Sequence, residues 1–339
     1  NSQPKMCERN NCSCSDINAY VNKLQFAVYI PVLIIGTILN AFAMKAFFFS
    51  MKKYTEVSIY LINLSILDIL LLVSLPIKVY FSQPHVPGGN PYLCKSVELL
   101  YFINMYGSIY TIVFISLDRY VAIKHPFLAR HLRSPKKTAI ICVSIWIFVC
   151  TISASAFGSP SNHSNVRCFH NMSEDIWTSP KIISLEVFGF LIPTVVILYC
   201  SIQIIRALLI HRPSSTQVEG CKVVIIRIVV SNLVVFMLSF VPSHLGIFLQ
   251  SLVRQRVISD CNSRRNISFF VQVALCMANI NCCLDSVCYY FGFMELRNKS
   301  LTYSLLKQQK VGYRGIYCHR FLKKCVPLQR MNVLQLSSD

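Results

Sequence analysis

The chain has 339 residues, 54% of them hydrophobic and 14% charged, and a net charge of +19 at pH 7. So few charges at this length are unlike a soluble globular domain. No Gly-rich phosphate loop, zinc-finger spacing or aromatic RNA-binding signature accompanies the positive charge, so it reads as basic loops on one side of a membrane and not as a nucleic-acid surface.

An N-terminal segment, 1–23, carries Cys7, Cys12 and Cys14 and the glycosylation sequon Asn11-Cys12-Ser13. Seven apolar stretches follow, each long enough for a bilayer, which takes about 20 residues. They fall at about 24–49, 57–81, 93–123, 138–157, 182–210, 222–252 and 267–293. Each must be helical, because hydrocarbon leaves unpaired peptide groups unsatisfied. Pro31, Pro76, Pro193 and Pro242 lie inside these spans and predict kinks. The expected fold is all-α: a seven-helix transmembrane unit over 24–299, then a tail over 300–339. A short amphipathic helix is expected at about 293–306.

Charge sets the orientation. Lys52 and Lys53 follow span one; Lys124, Arg130, Arg133, Lys136 and Lys137 follow span three; the tail is rich in Lys and Arg. These belong in the cytoplasm, which puts the N-terminus outside. Arg254, Arg256, Arg264 and Arg265 in the last outer loop run against the rule and suit an anionic ligand. Sequons at Asn162 and Asn171 fall in the outer loop after span four; the one at Asn63 lies inside span two and must be silent. Arg119 lies 25 residues beyond Cys94, about 37 Å along a helix at 1.5 Å per residue. Cys94 is therefore expected outside with Cys168, where a bridge would pin the sequon-bearing loop over the bundle. Cys261 also needs a partner, with Cys12, Cys14 and Cys7 as candidates. The cysteines inside apolar runs read as free packing residues.

Asn40 stands in span one, Leu64-Ser65-Ile66-Leu67-Asp68 in span two and Asp118-Arg119-Tyr120 at the end of span three, followed by Trp146, Pro193, Phe240-Val241-Pro242 and Asp285-Ser286-Val287-Cys288-Tyr289. In this order these stretches resemble the rhodopsin-like (class A) G-protein-coupled receptors, which often have Asn-Pro-x-x-Tyr at the last of them. More narrowly, "MYGSIYTIVFISLDRY", "RCFHNMSEDIW" and "NINCCLDSVCYYF" are similar to the branch that responds to lysophosphatidylinositol, with a kynurenate-responsive sister branch.

An arginine costs least at a helix end, where its head reaches water or pairs with a neighbouring acid. The resemblance implies more: Arg119 is capped while the receptor is inactive and meets a G-protein α subunit when helix six swings out, with Asp118, Tyr120 and Tyr289 beside it. The family often holds this arginine with an acid 20 residues before the helix-six proline, where this chain has Lys222. The tyrosine expected eight residues after Pro193 is Ser201. Asp118 alone is thus expected to restrain Arg119, with raised basal activity.

Asp68 and Asp285 lie deep in apolar spans, where an ionised carboxylate needs a partner. With Ser108 and Asn281 they resemble the family's allosteric sodium pocket. Protonated acids hydrogen-bonded to their neighbours are the other reading, and two adjacent acids can share one proton. Lys78, ten residues beyond Asp68, needs a reason to sit in a span: a structural pair with Glu98, or a counter-ion for an anionic ligand head group. Tyr101, Phe102, Tyr106, Phe188, Phe240, His244 and Phe248 are expected to line the apolar body of the pocket, with Arg254 near the head group.

The resemblance implies a lysophospholipid ligand and coupling through the G12/13 class to Rho. A receptor for a small aromatic acid or a peptide is the alternative within the class. A transporter or channel is the rival outside it, but no inverted repeat, filter or charged ring is seen. No catalytic constellation points to an enzyme. Cys318 and Cys325, near basic residues, are candidates for palmitoylation.

Overall fold

A computed structural model describes residues 15–50, 54–81, 91–157, 177–210 and 216–308. The described residues form helices α1 (Ser15–Ser50), α2 (Glu56–Phe81), α3 (Pro91–Lys124), α4 (Pro126–Leu132), α5 (Pro135–Phe157), α6 (Ser179–Glu186), α7 (Ile192–Ile210), α8 (Thr216–Arg254) and α9 (Cys261–Gln308). Seven spans are long and apolar enough to cross a membrane: Tyr20–Phe48, Glu56–Tyr80, Lys95–Lys124, Pro135–Ser155, Ser179–Ile210, Lys222–Arg254 and Cys261–Val287. These match the seven expected stretches to within a few residues, except that the last begins six residues before its expected start, 267.

Both faces of the spans carry apolar residues, so hydrophobicity alone does not separate inside from outside. Leu64, Leu67, Leu71 and Leu75 recur at helical spacing and bury one face of α2, while Ile66, Ile69 and Val73 of the same helix stay exposed. That pattern suits helices bathed in hydrocarbon, where packing and hydrogen bonds hold the bundle together. Asn63 shows the second device: its amide donates to Thr111 Oγ1 at 2.8 Å and its oxygen accepts from Trp146 Nε1 at 2.8 Å, joining α2, α3 and α5. Asn40 similarly donates to the carbonyls of Gly36 and Cys282, tying α1 to α9. The buried Asn63 is no glycan acceptor, as expected of its sequon.

Span five is not one α-helix. A π-helical turn, Val187–Leu191, links α6 to α7. Pro193 has no N–H to give to Gly189 one turn back, and the wider turn accommodates the missing bond. Gly189 within it has no Cβ for a steric reason: one would lie 2.7 Å from Cε1 of Tyr106 on α3.

The short amphipathic helix expected at about 293–306 is not a separate element, because α9 continues unbroken to Gln308. Residues 261–308 hold no proline and one glycine, Gly292, so no strong breaker interrupts the helix. Of the sixteen cysteines, Cys142, Cys150, Cys200, Cys276, Cys282 and Cys283 are free. Cys261 is disulfide-bonded. The expectations on Cys12, Cys168, Asn11, Asn162 and Asn171 lie outside the described residues, as do those on the side chains of Cys94 and Tyr289.

Candidate functional site

Polar and ionisable side chains gather at three depths of the bundle. At one end, Asp118 closes the apolar part of α3. Arg119 Nη2 donates to Asp118 Oδ2 at 3.0 Å, and Arg133 donates to both carboxylate oxygens, from Nε at 2.5 Å and from Nη2 at 2.9 Å. Arg133 also lies 3.6 Å from Glu56 in the first turn of α2. The short helix α4, started by Pro126, returns the chain so that Arg133 reaches α3. Asp118 does hold Arg119, as expected, but it shares its carboxylate with Arg133, which the sequence reading counted only among the loop charges. Tyr120 lies beside them, its ring 5.8 Å from Tyr199 and its hydroxyl 3.3 Å from His125 Nε2.

In mid-bundle, Asp68, Ser108, Asn281 and Asp285 are all buried. Asn281 donates to Asp285 Oδ2 at 2.7 Å, and Asn104 donates to Asp68 Oδ1 at 3.5 Å. Ser108 Oγ and Asn281 Oδ1 are buried without a hydrogen bond. Carboxylate, hydroxyl and amide oxygens are the donors a hard monovalent cation takes, so the residues present fit a sodium ion. Asn104 adds a member the sequence reading missed.

In the other half, Lys78 is 3% exposed. Its ammonium lies 4.9 Å from the centroid of Tyr29 and 4.8 Å from that of Tyr101, a cation held between two aromatic faces. Glu98, buried one turn before Tyr101, acts on it electrostatically. From Tyr101 the rings form a chain. Tyr101 meets Phe102 edge-on at 5.8 Å, Phe102 stacks with Tyr106 at 6.2 Å, and Tyr106 meets His244 edge-on at 5.8 Å. His244 stacks on Phe190 at 4.3 Å, and Phe190 leads through Phe236 to Phe240.

Five of the seven expected lining residues therefore come together: Tyr101, Phe102, Tyr106, Phe240 and His244. Phe188 and Phe248 do not. They are 60% and 46% exposed and make no ring contact with that chain among the described residues. Phe188 lies within the π turn, where its backbone carbonyl accepts from the Tyr110 hydroxyl. Arg254 lies over the Trp177 ring at 5.6 Å, at the entry to α6. Glu186 is a further omission: its Oε2 lies 3.2 Å from His244 Nδ1. It was legible as an acid inside an apolar span, by the same argument that singled out Lys78.

A bundle of seven membrane-length helices, with an acid–arginine pair at one end and a buried cation among aromatic rings in the other half, defines a multi-pass membrane receptor. Residues 39–289 match the 7 transmembrane receptor (rhodopsin family) pattern, and the chain belongs to that family of G-protein-coupled receptors. It is 44% identical to G-protein coupled receptor 55 of Mus musculus over 332 residues, 93% of this chain and 100% of that one. It is 44% identical to the Homo sapiens protein of the same name over 294 residues, 85% of this chain and 90% of that one. It is also 34% identical to Lysophosphatidic acid receptor 4 of Homo sapiens over 289 residues, 83% of this chain and 77% of that one. The chain is a receptor and not an enzyme, and lysophospholipid receptors are among its relatives.

Proposed function

We propose that this receptor lies in the plasma membrane with its N-terminus outside, is activated by a lysophospholipid of the lysophosphatidylinositol type, and signals through the G12/13 class to Rho. The observation that carries the ligand assignment is Lys78. A buried ammonium held between Tyr29 and Tyr101, beside a chain of aromatic rings, offers an anionic head group a desolvated cation. Relatives are named for lysophosphatidic acid, a lipid with an anionic head and a single acyl chain like those of that ligand class. Asp118, Arg119 and Tyr120 form the coupling end, and the basic residues around them suit the cytoplasmic face. Asp68, Ser108, Asn281 and Asp285 would hold a sodium ion, whose charge would offset the two carboxylates.

The test is G12/13 dissociation in cells given lysophosphatidylinositol, with Lys78→Ala alongside at equal surface expression. A response in the wild type that needs about 100-fold more lipid in the variant supports lipid and counter-ion together, since a lost charged contact in a dry site is large. No response in the wild type removes the lipid, and small aromatic acids or peptides are then the ligands to try.

A further inference from the structure

Glu186, His244 and Tyr106 come from three helices, α6, α8 and α3, and meet beside the aromatic chain. The His244 side chain is 1% exposed and that of Glu186 14%, with His244 Nδ1 3.2 Å from Glu186 Oε2. The Tyr106 ring meets the imidazole edge-on, and its hydroxyl lies within electrostatic reach of the Glu186 carboxylate. Three atoms at this junction are buried and make no hydrogen bond among the described residues: Glu186 Oε1, His244 Nε2 and the Tyr106 hydroxyl. Buried polar atoms are normally partnered, so three orphans at one junction point to a group supplied from outside the chain. The π turn separates Glu186 from α7, and Gly189 within it lets the Tyr106 ring come close. Such turns recur at functional sites.

The chemistry of the orphans narrows the group. An ionised Glu186 Oε1 only accepts. The Tyr106 hydroxyl both donates and accepts. With Nδ1 engaged by Glu186, Nε2 accepts in the neutral imidazole and donates in the imidazolium. A ligand acid here would face the Glu186 charge at low dielectric. A ligand ammonium could only donate, and would leave the Tyr106 proton unanswered. A hydroxyl both donates and accepts: it gives its one proton to Glu186 Oε1 and takes bonds from the Tyr106 hydroxyl and, in the imidazolium, from His244 Nε2, so it answers all three atoms when the histidine is protonated.

We propose that Glu186, His244 and Tyr106 form a hydroxyl-binding subsite, which takes a neutral alcohol group of the ligand whose anionic part lies at Lys78. This deepens the lysophospholipid reading and rests on it for the ligand's identity. Two parts of such a lipid carry the chemistry, the inositol ring and the glycerol hydroxyl.

The test uses the full-length receptor in nanodiscs. The probes are lysophosphatidylinositol, lysophosphatidic acid of the same acyl chain, and free myo-inositol. Glu186→Leu is expected to weaken lysophosphatidylinositol binding about tenfold or more, as loss of a hydrogen bond to a charged group does. Glu186→Gln, which keeps an accepting oxygen, is expected to lose less. If the inositol ring fills the subsite, lysophosphatidic acid binding is unchanged; if the glycerol hydroxyl fills it, both lipids weaken together. Either result supports the subsite. Unchanged binding of both lipids by Glu186→Leu, at wild-type expression and melting temperature, overturns it. Should Glu186→Leu fail to fold, Tyr106→Phe carries the same comparison. The myo-inositol arm separates this proposal from the lipid assignment. A wild-type receptor that binds neither lipid refutes the assignment. The subsite then stands if millimolar myo-inositol raises the melting temperature of the wild type and not of Glu186→Leu, and falls if it does not.

Discussion

At the Arg119 end, both oxygens of Asp118 accept hydrogen bonds from arginines, and Arg133 reaches on to Glu56. In the Lys78 half, Glu186 uses one oxygen on His244, while its other oxygen, the far nitrogen of the imidazole and the Tyr106 hydroxyl are buried without partners. Both regions bury charge, but arginines answer both carboxylate oxygens of Asp118, whereas one carboxylate oxygen of Glu186 has no hydrogen bond among the described residues. A network satisfied by its own members holds a resting state and is costly to break. A network with orphaned atoms is held by its packing and becomes complete only when a partner arrives. The same kind of substitution should therefore act with opposite sign on the two: removal of a polar group destabilises the Arg119 end and relieves the Lys78 half.

The largest effect is expected of Asp118→Asn. Arg133 and Arg119, with side chains 6% and 14% exposed, lose the carboxylate they share. Breaking a buried pair from one side costs about 3–5 kcal/mol. The melting temperature of the ligand-free receptor should fall by several degrees, and basal G-protein activation should rise as Arg119 is released. Unchanged melting and unchanged basal signalling would remove the restraint assigned to Asp118.

Tyr106→Phe probes the other half with the smallest change of shape. The deleted hydroxyl has no hydrogen-bond partner among the described residues, so its loss should leave stability unchanged or raise it by about 1 kcal/mol. Lipid potency should fall about tenfold. A lower melting temperature without ligand would show that the hydroxyl is satisfied after all, and the contrast between the two regions would go with it.

Asp68→Asn tests the layer between them. If sodium is held there, replacing it in the medium by a large organic cation should raise agonist affinity about fivefold in the wild type, within the usual range of coupling between two sites. The variant should show no such dependence. Equal affinity in both media, in the wild type, favours protonated carboxyls.

Much of this was legible in the sequence because a membrane makes polarity informative. Asp68, Lys78, Asp118, Arg119 and Asp285 each stand out against an apolar run, and all but Arg119 have buried or nearly buried side chains. Glu186 obeys the same rule, as an acid within the apolar span Ser179–Ile210. Phe188 and Phe248 failed for a physical reason: a phenylalanine in a lipid-bathed helix is equally at home facing inward or outward, and the π turn alters the facing of residues near it. Arg133 was hidden by topology. It lies 14 residues from Arg119 in a basic loop, and only the return through α4 carries it to Asp118. The unbroken run of α9 was half visible in Asp285-Ser286, which stands where relatives often have Asn-Pro and so lacks the proline that would break the helix.

The smallest expected effect belongs to Asp260, at the start of α9 beside the disulfide-bonded Cys261. The Ser263 N–H donates to Asp260 Oδ2 at 2.8 Å, capping the helix, and this bond holds the carboxyl below its ordinary value. A carboxyl with a depressed folded-state pKa adds stability that is present above its unfolded value, about 4, and is lost as pH falls through the folded value. Asp260→Ala should lower the melting temperature at pH 7 by about 1 °C, since the group is fully exposed and the neighbouring disulfide already limits fraying. Asp260→Asn separates cap from charge: its side-chain oxygen still accepts the Ser263 bond, so stability at pH 7 should be retained, while this site's part of the acid-induced loss should disappear. If Asp260→Asn melts as low as Asp260→Ala at pH 7, the negative charge at the helix N-terminus outweighs the hydrogen bond. The contribution then resembles the charge pairing of the Arg119 end more than the hydrogen-bond matching of the Lys78 half.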